Sequence, residues 1–134
     1  MAKQKKESIF VKENVNPKGV ETGDCVFRSI VKATGLPYKK VVEDMTAIFM
    51  ETGYTSNSRE TAHEYLTQIG FQEVKMPRPK KGETRLKVSD IAKLSVDKPI
   101  ICNVANHFTA CVGGKVYDIW DCTSKAVYSY YIKV

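Results

Sequence analysis

The sequence predicts an α+β domain in which the helices come first and the strands come last. Apolar residues recur at helical spacing between residues 24 and 70, whereas short apolar or alternating runs follow Pro99. Between two of these runs stands Gly113-Gly114, a pair typical of a two-residue hairpin turn. Because the chain has 134 residues, we expect residues 1–134 to form a single domain, with N-terminal helices packed on a C-terminal antiparallel sheet.

The first stretch of the chain, residues 1–23, is predicted to be irregular. Asn14, Asn16-Pro17 and Gly19 favour turns and resist both helix and strand.

The helix that follows, from Asp24 to Gly35, is apolar around most of its girth. Only a narrow strip is polar, and it is formed by Arg28, Ser29 and Lys32. A helix with so little polar surface is typical of the centre of a domain, so we expect the other elements to pack around it.

Further helices are predicted before the sheet. The second helix begins at Pro37, which suits a first helical turn, and ends near residue 52. Asn57 followed by Glu60 has the outline of a capping box and predicts a third helix that ends at Gly70.

The second half of the chain contains the strands and one short helix. Ser89 or Asp90 is the expected cap of that helix. The predicted strands share an apolar or alternating pattern and span residues 71–76, 100–105, 107–112, 115–122 and 126–132.

The net charge of +6 is concentrated in two segments, residues 3–18 and 75–82. Two prolines and a glycine mark the second segment as an exposed loop. Either segment can contact an acidic partner, but no aromatic residue lies between the basic ones of residues 75–82, as binding of a single strand would require. We therefore interpret both as solvated segments and do not expect a nucleic acid partner.

The sequence carries no sign of a membrane or secretory segment. No apolar stretch approaches the roughly 20 residues of a membrane span, and no apolar run follows the basic N-terminus. We therefore expect no membrane association and a cytoplasmic location. In that compartment the four cysteines, Cys25, Cys102, Cys111 and Cys122, are expected to remain free thiols.

Cys25 and His107 form the most informative pair in the chain. Cys25 stands at the first turn of the central helix, where backbone N–H groups and the helix dipole favour a thiolate. His107 begins a predicted strand, and a histidine is the usual base of a cysteine nucleophile. The pair therefore predicts nucleophilic catalysis by a thiol.

The hairpin register selects the third member of the site. If Gly113-Gly114 are the turn residues, the face that carries His107 also carries Asp118, diagonal to it. Asp121 then points to the other face. We therefore predict that Asp118 orients the His107 ring and stabilises its positive charge.

The oxyanion of an attacked carbonyl also needs donors. The Cys25 backbone N–H is one, and Asn16 is our choice for the second, with Asn14 and Asn103 as alternatives. Asp24 would raise the Cys25 pKa by its charge, so we expect its carboxylate to cap the helix N–H groups instead.

At these residues the chain resembles the papain-like cysteine peptidases, in particular compact bacterial and phage proteins related to the C39-like peptidases. The similar segments are residues 23–30, 107–110 and 116–118, and with residues 120–122 they cover about a quarter of the chain. The resemblance implies a papain-like fold, a Cys–His–Asp triad at Cys25, His107 and Asp118, and peptide or isopeptide bonds as substrates.

The chain departs from the papain pattern at two positions. Gly19 stands where an oxyanion glutamine is common, and Val26 replaces a frequent tryptophan. The alternative function is therefore a catalytically inactive papain-like module that binds a protein or another acidic partner.

No cofactor or metal is expected. A zinc site at His107 and Cys111 is disfavoured, because a spacing of four residues does not converge on a strand. Cys102, Cys111 and Cys122 are interpreted as core or sheet residues, and the alternative for Cys111 is a pocket residue. Trp120 is expected beside His107, where it would shield the bond to Asp118.

Overall fold

Four α-helices and six β-strands make up residues 8–134, the part of the chain that this computed structural model describes. The helices are α1 (Cys25–Thr34), α2 (Tyr38–Thr52), α3 (Arg59–Gln68) and α4 (Val88–Ala92), the last continued by a 3₁₀ turn over Lys93–Ser95. The strands are β1 (Phe10–Lys12), β2 (Phe71–Lys75), β3 (Ile100–Val104), β4 (His107–Val112), β5 (Lys115–Asp118) and β6 (Ser129–Lys133). The predicted α+β class is confirmed.

The strands form one sheet in the order β1-β5-β4-β3-β6-β2. Every neighbouring pair is antiparallel except β1 and β5, which run parallel. The prediction of a purely antiparallel sheet is therefore wrong at this edge.

Strand β1 also corrects the prediction that residues 1–23 are irregular, although residues 1–7 of that segment lie outside the described residues. Phe10 stands opposite Val116 and Lys12 opposite Asp118. Three residues are too few to show a period in the sequence, so the neighbouring strand and not the local pattern makes them extended.

The sheet has a core on each face. Helices α1, α2 and α3 cover one face, whereas α4 covers the other. Helix α1 lies in the centre as predicted, with Ile30 fully buried, and it packs along β4. The predicted polar strip of this helix does not face solvent, because Arg28 and Ser29 are buried.

The loop between α2 and α3 approaches the loop that precedes Cys25. The predicted capping box at Asn57 is wrong by one residue, because Ser58 is the cap and accepts a hydrogen bond of 3.1 Å from the Thr61 N–H. The Asn57 amide instead donates to the Gly23 carbonyl at 3.1 Å. The two loops are therefore tied together beside the start of α1.

The short helix α4 begins earlier than predicted. Lys87 is its N-cap, and the Asp90 carboxylate accepts a 2.8 Å hydrogen bond from the Lys87 N–H. Within residues 8–134, no helix combines the length and the apolar character needed to cross a membrane.

Candidate active site

The hairpin of β4 and β5 has the predicted register. Its turn residues, Gly113 and Gly114, both have positive φ, at 60° and 82°, as the turn requires. Ala110 stands opposite Tyr117, and Val112 opposite Lys115. The hairpin therefore brings the start of β4 and the end of β5 to the same place.

His107 and Asp118 meet at that place. The distance from His107 Nε2 to Asp118 Oδ2 is 2.6 Å, and both side chains are buried. The second carboxylate oxygen, Oδ1, accepts a 2.7 Å hydrogen bond from the Ile119 N–H. Asp121 is exposed and accepts hydrogen bonds from Thr123 instead, so the structure brings Asp118 and not Asp121 to the histidine.

Cys25 approaches the same ring from α1. It is the first residue of the helix and is half-buried. Its thiol is close enough to His107 and to the backbone of Phe108 for both groups to lower its pKa. Since Nε2 faces Asp118, Nδ1 is the ring nitrogen that remains for the thiol.

The charges of the three groups are mutually adjusted. Burial raises the pKa of Cys25, but the hydrogen bond and the charge of His107 outweigh it and bring the pKa below its ordinary 9.0. Burial lowers the pKa of His107, yet the hydrogen bonds with Asp118, Cys122 and Cys25 raise it to about 11. Burial raises the pKa of Asp118, but the hydrogen bond and the charge of His107 outweigh this effect and lower that pKa. The arrangement favours a thiolate–imidazolium pair.

A buried arginine connects the start of α1 to the end of β5. Arg28 forms an ion pair with Asp24, one turn earlier in the helix, and its Nη2 lies 3.8 Å from Asp118 Oδ1. Arg28 is only 7% exposed. One guanidinium thus faces two carboxylates, one beside the thiol in sequence and one beside the imidazole in space.

The ion pair also corrects the prediction for Asp24. Its carboxylate makes no capping hydrogen bond to α1. One oxygen bonds Arg28, and the other accepts hydrogen bonds from Asn16 Nδ2 at 2.8 Å and from the Tyr38 hydroxyl at 2.9 Å. The negative charge next to Cys25 is therefore compensated by side chains and not by the helix N-terminus.

The asparagines considered as oxyanion donors are all engaged elsewhere. Asn16 Nδ2 donates to Asp24 and lies 3.3 Å from the Tyr38 hydroxyl. Asn14 donates to the Val20 carbonyl, and Asn103 donates to Ser129 Oγ. The structure does not bring Asn16 to Cys25 as a free donor, because its amide holds the carboxylate of Asp24.

Cys122 extends the site on the side away from α1. Its Sγ lies 3.6 Å from Asp118 Oδ2. In the described part of the chain, His107, Asp118 and Cys122 are the residues whose ligand atoms converge as a metal ion would require, within 4.8 Å of one another. Cys111, by contrast, lies 3.8 Å from Cys102 between their sulfur atoms, and all three of these other cysteines are buried as predicted.

Trp120 flanks the imidazole as expected. The two ring centroids are 4.8 Å apart and the rings are tilted by 46°. The indole remains 40% exposed, so it covers His107 while presenting a surface to solvent.

Sequence reasoning missed Arg28 and Cys122. A polar strip on an amphipathic helix normally faces water, and a cysteine near a strand is normally core, so neither residue carried a sign of its role.

Comparison with protein-family models, with curated proteins and with solved structures finds no match to this chain.

Proposed function

We propose that the protein is a thiol-dependent hydrolase of papain-like type that cleaves a peptide, isopeptide or other amide bond. The observation that carries this proposal is the alignment of Cys25, His107 and Asp118, with the imidazole between thiol and carboxylate. A nucleophile, a base and an orienting acid in this order form the minimal apparatus for acyl transfer through sulfur.

The first half of the reaction transfers the acyl group to the enzyme. The Cys25 thiolate attacks the carbonyl carbon, and the carbonyl electron pair moves to oxygen. The Cys25 backbone N–H has no partner inside the helix and is the donor available to that oxyanion. When the carbon–nitrogen bond breaks, His107 gives its proton to the departing amine.

The second half releases the acyl group. His107, now neutral, takes a proton from water, and the hydroxide attacks the thioester. The proton then returns through His107 to the thiol, so that the enzyme is restored and one water is consumed. Asp118 stabilises the imidazolium in both halves, and general acid–base help of this kind is worth about 10²–10⁴-fold in rate.

Arg28 supports this chemistry without touching the substrate. By neutralising Asp24, it removes a charge that would otherwise raise the pKa of the neighbouring thiol. Its other contact, with Asp118, helps to fix the carboxylate that holds His107. We regard Arg28 as a positioning residue of the proposed site. The proposed reaction uses no cofactor.

The proposal is tested by searching for cleavage with a matched pair of aspartate variants. The protein is incubated with a complex peptide mixture, and new termini are identified by mass spectrometry. We expect cleavage by the wild type and by Asp121→Asn, loss of cleavage in Cys25→Ala, and a large loss in Asp118→Asn.

Two results would contradict the proposal. Cleavage that persists in Cys25→Ala would show that the thiol is not the nucleophile. No cleavage at all, with a Cys25 thiol no more reactive than an ordinary one, would favour the inactive papain-like binding module.

A further inference from the structure

The basic loop that the proposed reaction leaves unused lies next to Trp120. Residues 86–88 run antiparallel to residues 125–127, since the Val88 N–H donates to the Lys125 carbonyl and the Val127 N–H to the Leu86 carbonyl, each at 2.9 Å. Lys87 stands directly opposite Ala126. The contact places the two segments side by side.

Two cations on this surface are paired with exposed aromatic rings. Lys125 Nζ lies 6.0 Å from the centre of the Trp120 ring, and the Arg85 guanidinium carbon lies 5.0 Å from that of Tyr128. Both rings are about two-fifths exposed, at 40% and 42%. The basic residues of the loop 75–82 have no aromatic residue between them in the sequence. The two aromatic rings, Trp120 and Tyr128, come from a different segment.

The two segments that contribute to this surface are strongly basic. Residues 75–87 and 120–128 together contain seven lysines and arginines but two carboxylates, Glu83 and Asp121. The loop is anchored at Tyr128, whose carbonyl accepts a 3.0 Å hydrogen bond from the Met76 N–H. Cationic groups concentrated beside a cleft attract and orient an anionic ligand.

The position of His107 decides which part of a substrate would meet this surface. His107 protonates the departing amine, so the chain that follows the scissile bond must leave on the side of the imidazole. The Trp120 ring, whose centre lies 4.8 Å from that of the imidazole, flanks this side. Lys125 Nζ is near the Trp120 ring, at 6.0 Å from its centre, and Lys87 stands opposite Ala126, the next residue along the chain.

We propose that the leaving-group surface, formed by Trp120, Lys125, Lys87, Arg85 and Tyr128, binds an acidic polypeptide segment that follows the scissile bond. The inference rests on the proposed function, since His107 defines the direction in which the chain departs. A nucleic acid fits less well, because Lys125 and Arg85 lie over the two exposed rings on which bases would stack.

The single tryptophan of the chain makes this surface directly observable, because all indole fluorescence comes from Trp120. The experiment uses the Cys25→Ala variant of the 134-residue chain, which cannot turn over a substrate by the proposed route, and peptides that contain no tryptophan or tyrosine. One peptide is rich in aspartate and glutamate, and its twin carries asparagine and glutamine at the same positions.

We expect the acidic peptide to change the Trp120 emission at low salt and the neutral twin to leave it unchanged. Binding should weaken steeply as salt is added. The double variant Lys87→Glu/Lys125→Glu should raise the dissociation constant by roughly 10-fold or more, because reversal replaces two attractions by two repulsions.

The matched control is Lys93→Glu/Lys115→Glu, two exposed lysines at the hairpin end of β4, the end away from His107. This variant has the same net charge and should bind the acidic peptide like its parent. Equal weakening by both double variants would overturn the proposal, since it would reflect net charge alone.

Other outcomes also decide the matter. If the acidic peptide binds no better than its neutral twin to the protein with its lysines unchanged, the inference is overturned, and the lysine variants need not be compared. A single-stranded oligonucleotide that binds more tightly, with the same dependence on Lys87 and Lys125, would replace the peptide as ligand. The binding assay needs no catalysis, so failure of the inference and failure of the proposed function can be distinguished. Acidic peptides can bind although no cleavage is found, and cleavage can be found although acidic peptides do not bind.

Discussion

Cys25 and Cys102 carry the same thiol, yet the protein moves their pKa values in opposite directions. At Cys25, burial is outweighed by His107 and the pKa falls below its ordinary value. At Cys102, the hydrogen bond with Cys111 and burial both raise the pKa well above it. Burial acts in the same sense at both sites, so the difference lies in the partner.

The comparison shows that the partner of a thiol decides the direction in which its pKa moves. A thiol next to another thiol gains nothing from ionising, because the partner offers no positive charge. A thiol at the start of a helix, next to an imidazole held by a carboxylate, gains from both. Cys25 begins α1, which packs on β4, and Cys102 lies in β3, the strand next to β4. The difference in pKa between two such close thiols therefore depends on a few side chains.

Removing the imidazole should break the comparison most completely. In His107→Ala, the alkylation rate of Cys25 near pH 7 should fall by roughly 100-fold, because the thiolate loses the partner that lowers its pKa. The pH above which Cys25 reacts fully should move up to 9.0 or above, because burial then acts without its main opposing partner, while Cys102 remains slow. The measurement is the rate of each cysteine against pH, obtained by peptide mass spectrometry.

His63→Ala is the matched control, since His63 is the other of the two histidines. Its Nδ1 lies 2.9 Å from the Tyr131 hydroxyl. It should leave the Cys25 profile unchanged. A wild-type Cys25 that reacts no faster than Cys102 below pH 8 would remove the basis of the comparison.

Removing the guanidinium should narrow the difference between the two thiols. Arg28→Gln leaves Asp24 without its cation and Asp118 with His107 alone, so the Cys25 pKa should rise and its alkylation near pH 7 should slow by roughly 10-fold. The variant should also lose about 3–5 kcal/mol of unfolding free energy, the usual cost of leaving a buried charge unpaired. Urea denaturation and the pH profile measure the two effects.

Arg59→Gln provides the control for loss of an arginine, since Arg59 donates to the Val104 carbonyl at 2.7 Å and belongs to α3. Its Cys25 profile should match the wild type. Arg28→Lys should restore part of the lost reactivity, and a Cys25 pKa unmoved in Arg28→Gln would show that Asp24 does not act on the thiol.

A chelator should have the smallest effect. His107 Nε2 contacts Asp118 Oδ2 directly at 2.6 Å, so we expect EDTA to leave the alkylation rate of Cys25 unchanged. The test compares rates before and after dialysis against the chelator. A rate that changes, and returns when zinc is added, would indicate a metal ion bound by the cluster of His107, Asp118 and Cys122.

The local parts of the site could be predicted from the sequence. The Gly113-Gly114 turn fixes the register of β4 and β5, and a period of two then decides which aspartate shares a face with His107. Cys25 could be placed at the start of α1 because apolar spacing begins there. These inferences need only neighbours along a strand or a helix.

The long-range parts could not be predicted. Asp24 was expected to cap α1, but its partners are Arg28, Asn16 and Tyr38, and the last two come from other segments. Arg28 looked like a solvated helix residue because its second carboxylate, Asp118, is 90 positions away. Strand β1 could not be predicted for the same reason, since its extended conformation depends on pairing with β5.

The place of β6 in the sheet has a consequence for how the molecule is made. In the described sheet, β2 is joined only through β6, which lies between it and β3. During synthesis, β2 emerges more than fifty residues before the strand that will hold it. Closing so long a loop is slow, so the sheet is completed only after β6 has left the ribosome.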